Sequence, residues 1–311
     1  MSGGYTHITV VNMMSEPARL EEIEGFPEDA IISIMDFFKF CELGALSPDY
    51  PYLALDDSGA SQWADMMHYE RTGEMLRTGV QQLRIAKGDA LEKGLAWLLG
   101  YAAHVATDVT IHPIVMKKVG PYQENKAAHR VCEMNQDAYI FQRLNLGDIG
   151  LAEHLGSGIG ICNDLHNSVQ LDPDIRKLWE NMLADVYPAL FDSKPPAISK
   201  WHRRFIVMVG KIASSGNRLL PIARHVASGQ GLVYPLKNEV DLDYIENLES
   251  PEGVIRFDDL FDRAVKNVGT VWSLIARGVL GADDQYLDKI GNWNLDTGCD
   301  KHKQFVFWEN E

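Results

Sequence analysis

The sequence predicts an all-α fold, and three observations lead to that prediction. Apolar residues recur at the three- and four-residue spacing of a helix face in several long segments, most clearly in DAIISIMDFFKFCELG at residues 29–44. Residues typical of helix ends bracket this segment, with Asp29 at its start and Gly44 at its end. Alternating strand patterns are scarce throughout the chain.

The predicted helices are spread along the whole chain. They cover residues 29–44, 61–84, 89–112, 124–143, 173–191, 200–227 and 257–280. Asp89 and Glu92 form a start signal like a capping box for the central helix at 89–112. We expect loops over residues 114–123, 144–172 and 231–255, and an aromatic tail from Asn292 that packs back on the body.

Composition limits the classes of function and partner. The chain has 311 residues, 29 Lys and Arg against 44 Asp and Glu, and a formal charge of −15. This excess argues against broad nucleic-acid binding and against polybasic docking on anionic membranes, because both need basic surface. No linker, repeat or low-complexity tract divides the chain. We therefore expect a single domain over residues 1–311, with 231–311 as a candidate C-terminal extension.

Targeting and cysteine patterns indicate a reducing compartment. The start, MSGGYTHITVVNMM, has neither the basic region nor the apolar run of a signal peptide. No apolar stretch reaches the roughly 18 residues that a transmembrane helix needs. The cysteines are scattered, which favours free thiols at Cys41, Cys132, Cys162 and Cys299. The sequence predicts a cytoplasmic protein and leaves its oligomeric state open.

Metal-ligating residue types concentrate in residues 98–133, LLGYAAHVATDVTIHPIVMKKVGPYQENKAAHRVCE. His104 and Asp108 lie four residues apart on the central helix and therefore share one face, and His129 and Glu133 repeat this spacing. Their neighbours are small or apolar, and an unpaired polar group buried on such a face would cost about 2–7 kcal/mol. Two ligands one turn apart are typical of helical zinc sites.

A hydrogen-bonded core pair is the alternative interpretation, and His104 with Asp108 alone would favour it. A second pair at the same spacing, with His112 between the two pairs, favours metal binding instead. Pro113 disfavours helical geometry at the residue before it. We therefore expect His112 to leave the helical register and to bind a different ion.

Three further candidates lie upstream, and each has an ordinary structural explanation. His7 could belong to a frayed N-terminus, Asp49 could serve a turn in the proline-stiffened loop ALSPDYPYL, and His68 could be a satisfied core histidine. Each becomes a candidate ligand if its side chain faces the same ions as the central cluster.

Taken in chain order, these candidates resemble the ligand set of the zinc-dependent phospholipase C family, which shares its fold and three-zinc site with fungal single-strand nucleases. The set is His7, Asp49, His68, His104, Asp108, His112, His129 and Glu133. The resemblance covers residues 5–135, and its signature is His-x3-Asp, a third His, then His-x3-Glu. It implies a single large helical domain of the zinc-dependent phospholipase C type.

The resemblance also implies how two or three zinc ions are held. One ion would bind Asp49, His68, His104 and Asp108, and a second would bind His112, His129 and Glu133. A third would use His7, with Asp108 bridging it to the first. Exported family members add an N-terminal Trp to this third ion. Here the backbone of Tyr5 or Thr6, a water, or nothing takes that place.

The activity that the resemblance implies is zinc-dependent hydrolysis of a phosphate ester. The leading hypothesis is a phospholipase C-like phosphodiesterase that uses a metal-bound hydroxide on a phospholipid-like or small diester substrate. Asp49 is the candidate general base as well as a ligand, and Tyr50 is the candidate substrate-binding aromatic. The alternatives are a nuclease or nucleotidase with the same metals, a member retooled for an unusual biosynthetic substrate, and a non-catalytic protein stabilised by metal.

Overall fold

The computed structural model describes residues 3–54, 57, 59–147, 158, 161–216 and 233–309, and these residues form an all-α fold, as predicted. The helices are α1 (Gly4–Met14), α2 (Pro17–Glu22), α3 (Glu28–Leu46), α4 (Ala60–Tyr69), α5 (Thr72–Leu83), α6 (Asp89–Val119), α7 (Tyr122–Ile140), α8 (Pro173–Val186), α9 (Pro188–Ser193), α10 (Ile198–Gly216), α11 (Phe257–Leu280) and α12 (Gln285–Lys289). The described strands form two small antiparallel hairpins, β1 (Asn163–Asp164) with β2 (Asn167–Leu171) and β3 (Leu248–Ser250) with β4 (Gly253–Ile255).

Helix α6 lies at the centre of the described structure. Every residue from Gly94 to Val115 is buried, because α3 and α11 pack along this helix. The Trp272 indole of α11 donates a hydrogen bond to the Leu99 carbonyl oxygen at 2.7 Å, and Trp97 donates to the Ser47 hydroxyl at 3.0 Å. A helix enclosed in this way is apolar around most of its circumference, so polar residues within it stand out.

The contact between α3 and α6 is close enough to require glycine on both helices. A Cβ atom on Gly44 would overlap the Trp97 carbonyl oxygen, and one on Gly100 would overlap the Cys41 carbonyl oxygen. Because Gly44 and Gly100 have no side chains, the C-terminal end of α3 can pack directly against the middle of α6. The 3₁₀ segment Ser47–Leu53, which follows α3 directly, is placed beside the same stretch of α6.

The prediction of one helix over 61–84 was wrong, because the chain forms α4 and α5 with a sharp turn between them. Arg71 adopts a left-handed conformation with φ of 53°, which ends the helical path. Its guanidinium contacts Glu74 and the Val186 carbonyl oxygen, and these contacts hold the turn. Hydrophobic spacing continues on both sides of the turn, so the pattern alone does not reveal it.

The predicted end of the central helix at His112 was also wrong. Helix α6 continues through Pro113 to Val119, so the predicted loop over 114–123 is reduced to the short connection before α7. Pro113 cannot donate a backbone hydrogen bond one turn back to Val109. Gly298 from the C-terminal segment packs against both Pro113 and the Val109 carbonyl oxygen. Tertiary packing therefore stabilises a helix that the local sequence disfavours.

Smaller differences from the sequence prediction occur elsewhere. Residues 4–14 form a buried helix, which excludes the frayed N-terminus considered as the ordinary explanation for His7, and 173–191 is divided into α8 and α9 at Pro188. The predicted loops at 144–172 and 231–255 contain the two hairpins, although 148–157 and 159–160 lie outside the described residues. The predicted helix at 200–227 is described as α10 up to Gly216, and residues 217–232 lie outside the description.

The aromatic tail packs back on the body, as expected, with Trp293 and Trp308 buried. The Trp308 indole donates to the Thr110 carbonyl oxygen of α6 at 3.0 Å. None of the helices in the described part of the chain combines the length and apolar character that a membrane span requires.

Candidate metal centre

Two histidines are oriented by backbone carbonyl groups so that each directs the same ring nitrogen inward. His104 Nδ1 lies 2.9 Å from the Ala45 carbonyl oxygen at the end of α3, and His68 Nδ1 lies 2.8 Å from the Ala64 carbonyl oxygen of α4. A carbonyl oxygen can only accept, so both Nδ1 atoms must donate. Each neutral ring therefore keeps its lone pair on Nε2, which is free to ligate a metal.

The two Nε2 atoms lie 3.3 Å apart, and two carboxylates flank them. Asp49 Oδ1 lies 3.2 Å from His68 Nε2, and Asp108 Oδ2 lies 3.2 Å from His104 Nε2. Asp49, His68 and His104 each offer one ligand atom within 4.8 Å of the others. The structure thus brings together the four residues that the sequence analysis assigned to the first zinc ion.

His7 forms a second group with His104 and Asp108. Its Nε2 lies 3.3 Å from Asp108 Oδ1, and its ring stacks on the His104 ring at a centroid distance of 4.0 Å. The three ligand atoms again lie within 4.8 Å of one another, and all three residues are buried. Asp108 Oδ1 therefore faces His7 while its Oδ2 faces His104, an arrangement compatible with the bridging position that the resemblance implied.

Asp137 of α7 holds the helix that carries His7. Its carboxylate accepts from the Tyr5 backbone N–H at 3.2 Å, from the Thr6 backbone N–H at 2.6 Å and from the Thr6 hydroxyl at 2.7 Å. The Tyr234 hydroxyl donates to it as well, at 3.1 Å. This carboxylate accepts from the donors at the start of α1 and fixes the helix one residue before His7. Burial raises the pKa of Asp137 to about 7, against the effect of these hydrogen bonds.

His112 lies in the helical register, contrary to the prediction, and therefore shares the face of His104 and Asp108. Its Nε2 is 3.2 Å from Asp108 Oδ1, and its Nδ1 is 3.5 Å from Asp296 Oδ1. Because α6 does not break at Pro113, His112 is turned towards Asp108 rather than away from it. Burial alone would raise the pKa of Asp296, but the interaction with His112 beside it outweighs this effect and lowers the pKa to about 2.

His129 and Glu133 form the less complete part of the centre. His129 Nε2 lies 2.7 Å from the Gly120 carbonyl oxygen and must donate to it, which leaves Nδ1 as the ligand atom. Nδ1 is 3.6 Å from Glu133 Oε1. Among the described residues, His112, His129 and Glu133 do not converge as a group of three. The second predicted ligand set is therefore present in part.

The spacing and surroundings of these atoms fit zinc. Two zinc–nitrogen bonds of about 2.0–2.1 Å at a tetrahedral angle place the nitrogens about 3.3 Å apart, as found for His68 and His104. Both ring nitrogens of His7 and of His112, and Nδ1 of His129, are buried without a hydrogen-bond partner in the described residues. Buried polar groups are normally satisfied, so this concentration of unsatisfied nitrogens indicates a missing partner such as a cation.

Protonation states in the cluster also suit metal binding. Burial would raise the pKa of Asp108, but His112, His104 and His7 outweigh it and hold the pKa well below its usual range. Burial, together with His7, lowers the pKa of His104. A charged carboxylate and a neutral imidazole are the forms that ligate zinc. Burial would lower the pKa of His68, but Asp49 and Asp108 outweigh it and raise the pKa, so a zinc ion there competes with a proton for the ring.

Tyr50 does not lie at the surface of this centre. Its ring is fully buried and stacks on Phe205 at 4.4 Å, beside His202. This position gives no support to the predicted contact with substrate, which stays a prediction. Tyr52, two residues further on, is only partly buried and its ring lies 5.5 Å from the His68 ring.

The sequence reasoning missed two residues that border the centre. Tyr122 packs edge-on against His129 at 5.2 Å, and its seven-residue spacing from His129 could have indicated a shared helix face. Asp296 offered no such signal, because it reaches His112 only through the path of the C-terminal segment. From the sequence alone, a single Asp with Asn and Gly nearby in a C-terminal tail is predicted to be a turn residue rather than part of a metal site.

Comparison with known proteins agrees with this geometry. The family model described as zinc dependent phospholipase C matches residues 6–189, which include the eight ligand positions from His7 to Glu133. Neither the curated proteins nor the solved structures give a match. With more than half of its length matched, and with buried His and Asp groups that fit zinc, the chain belongs to the zinc-dependent phospholipase C family.

Proposed function

We propose that this protein is a zinc-dependent phosphoric diester hydrolase of the phospholipase C type. The observation that carries the proposal is the pair of Nε2 atoms of His68 and His104, 3.3 Å apart and each locked by a backbone carbonyl, with Asp49 and Asp108 beside them. Two or three zinc ions would be held by the eight assigned ligands. When bound, they would lower the pKa of a water molecule and neutralise charge on the phosphoryl oxygens.

Asp49 is the residue best placed to meet the reacting water. Its side chain retains 17 % exposure, whereas the side chains of His68 and Asp108 are fully buried. Burial would raise the pKa of Asp49, but His104 and His68 outweigh it and lower the pKa, so the carboxylate is ionised at neutral pH. An ionised, partly exposed carboxylate can accept the proton of the attacking water. Asp49 would therefore act both as ligand and as general base.

Three tyrosines supply polar contacts at the rim of the centre. Tyr52, Tyr69 and Tyr122 are partly exposed, and burial raises the pKa of each phenol. Their hydroxyl groups therefore stay protonated at neutral pH, and a hydroxyl that turns towards substrate can donate to a phosphoryl oxygen, although that of Tyr52 now donates to Asp65 Oδ1 at 2.8 Å. This rim, rather than the buried Tyr50, is the surface on which we expect the organic part of a small or phospholipid-like diester to rest.

Phosphorus NMR on a mixed substrate pool tests the proposal. The pool contains short-chain phosphatidylcholine, phosphatidylethanolamine, glycerophosphodiesters and a single-stranded oligonucleotide, with zinc-loaded and chelator-treated protein compared. Chelator-sensitive release of a head-group monoester is expected. Nucleotide monoesters would identify the nuclease alternative, and no product from zinc-loaded protein would contradict diester hydrolysis.

Asp49→Asn tests the general base in the same assay. Loss of a general base lowers turnover by about 100-fold or more, so the variant should form far less product. Zinc content measured on the same sample separates loss of the base from loss of a ligand: low turnover with zinc retained supports the base role. Asp36→Asn, an exposed position on α3, is the control for the change of charge and should match wild type. Unchanged turnover in Asp49→Asn would remove Asp49 from the mechanism.

A further inference from the structure

The C-terminal segment, residues 292–308, crosses the metal centre from outside the part of the chain that matches the family model. Several hydrogen bonds fasten it there, and three of them illustrate its path. The Leu295 backbone N–H donates to the His68 carbonyl oxygen at 3.0 Å, the Thr72 hydroxyl donates to the Trp293 carbonyl oxygen at 2.7 Å, and the Trp308 indole donates to the Thr110 carbonyl oxygen at 3.0 Å. One of these bonds is to the backbone of a ligand residue, so the segment is built into the site.

A tight turn in this segment aims Asp296 at the centre. The Asn294 side-chain oxygen accepts from the Asp296 backbone N–H at 3.1 Å and from the Thr297 backbone N–H at 3.0 Å, which closes an Asx turn around Asp296. Gly298 has φ of +67°, and a Cβ atom there would overlap Pro113. Glycine therefore lets the turn press against α6 next to His112.

Asp296 faces the nitrogen of His112 that points away from Asp108. Its Oδ1 lies 3.5 Å from His112 Nδ1, the outer limit for a hydrogen bond, while Nε2 of the same ring lies 3.2 Å from Asp108 Oδ1. Nδ1 is buried and has no hydrogen-bond partner in the described residues. A small movement of either side chain would let Nδ1 donate to Asp296.

We propose that Asp296 is a positioning residue for the ligand His112. By accepting the Nδ1 proton, it would fix the tautomer with its lone pair on Nε2 and hold the ring over the metal centre. The inference rests on the proposed zinc centre. His68 and His104 are oriented in the same way by carbonyl oxygens, but a carboxylate partner makes an imidazole a stronger ligand than a carbonyl does.

The experiment compares Asp296→Asn with wild type by zinc competition against a chelating dye. Asparagine keeps the size of the side chain, removes its charge and weakens acceptance at Nδ1. We expect one zinc ion to bind about 10- to 100-fold more weakly, which is the usual effect of losing such a partner. The visible absorption of the cobalt-substituted protein should change, because the geometry at one ion changes. Asp288→Asn, exposed on α12, is the charge-matched control and should bind both metals like wild type.

Thermal unfolding of the metal-free proteins separates positioning from structural support. The inference predicts that Asp296→Asn lowers the unfolding temperature more when zinc is present than in the metal-free protein, where only its interaction with His112 is lost. Equal zinc affinities with identical cobalt spectra would overturn it, as would weaker zinc binding fully matched by a loss of metal-free stability. If wild-type protein binds no zinc, the proposed function itself fails, so the two failures are distinguishable.

Discussion

The two parts of the metal centre differ in how completely the protein positions its ligands before any ion binds. Around His68 and His104, two backbone carbonyls fix the rings and two carboxylates lie 3.2 Å from the inward nitrogens. Around His129, one carbonyl fixes the ring, and Glu133 is 3.6 Å away. His112, the third predicted member of that second set, faces Asp108 instead.

This difference follows from the elements that carry each part. The first part lies between α3, the 3₁₀ segment Ser47–Leu53, α4 and α6, where glycine contacts draw α3 and α6 together and His68, His104 and Asp108 are fully buried. The second part lies on α7, which follows the short Gly120–Pro121 connection and has a non-helical residue, Asn125, near its start. A site that is held in place binds with less loss of conformational freedom. We therefore expect the first part to bind zinc more tightly than the second.

Replacing His104 should have the largest effect, because His104 belongs to both groups of three. His104→Ala should lose the ions of both groups and at least about 100-fold of diesterase activity, a greater loss than that of an outer partner. Zinc content by mass spectrometry and the activity assay measure the two effects. His202→Ala, which removes another buried histidine away from the centre, controls for general destabilisation. Wild-type zinc content in His104→Ala would show that the first part of the centre does not bind zinc through His104.

Replacing His129 should have a smaller and more selective effect. His129→Ala removes a ligand of the second part and leaves His68 and His104 with their carbonyl partners. We expect the loss of one weakly bound ion, a fall in turnover, and unchanged affinity for the most tightly bound zinc. A dye-competition titration resolves the two classes of ion. Loss of the tight class in His129→Ala would show that the two parts bind as one unit.

Replacing Asp137 should alter the pH dependence of stability rather than the tight zinc site. The pKa of this carboxyl is about 7 in the folded protein and 3.8 in its ordinary state, so folding favours the protonated form. The protonated Asp137 carboxyl therefore adds to the free energy of unfolding. This stabilisation is fully present below pH ~4 and is lost as the pH rises through 7. Across that range the loss is of order a few kcal/mol.

The corresponding test is urea unfolding of the metal-free protein at pH 5 and pH 8. Asp137→Asn should show a smaller decline in free energy of unfolding between these pH values than wild type does. It should also bind the His7-dependent ion more weakly, because α1 loses an anchor. Parallel declines in the two proteins would contradict the assigned role of burial at Asp137.

The sequence predicted the parts of the site that rest on helical periodicity. The four-residue spacing of His104 and Asp108 survives in the structure because both lie on one regular helix, and the metal interpretation is supported by the contacts that they make. The buried helical segments of α3 and α11 were predicted for the same reason. Periodic burial is a local property, and a sequence displays it directly.

Tertiary contacts decided what the sequence could not show. Gly298 packs against Pro113 and Arg71 turns left-handed, and these features continue one predicted helix and divide another. Asp296 reaches His112 because the C-terminal segment is fastened over α6, and no local pattern around Asp296 reports that path. The predicted helix end at His112 and the predicted orientation of its side chain were wrong for the same reason. Both assumed that Pro113 ends the helix, and neither could take into account the C-terminal segment that packs against Pro113.

The most direct test of the zinc centre is anomalous diffraction at the zinc edge from crystals of the zinc-loaded protein. The account predicts a strong peak within about 2.0–2.1 Å of the Nε2 atoms of His68 and His104, and weaker density beside His129. A peak confined to His129 and Glu133, or none between His68 and His104, would contradict it.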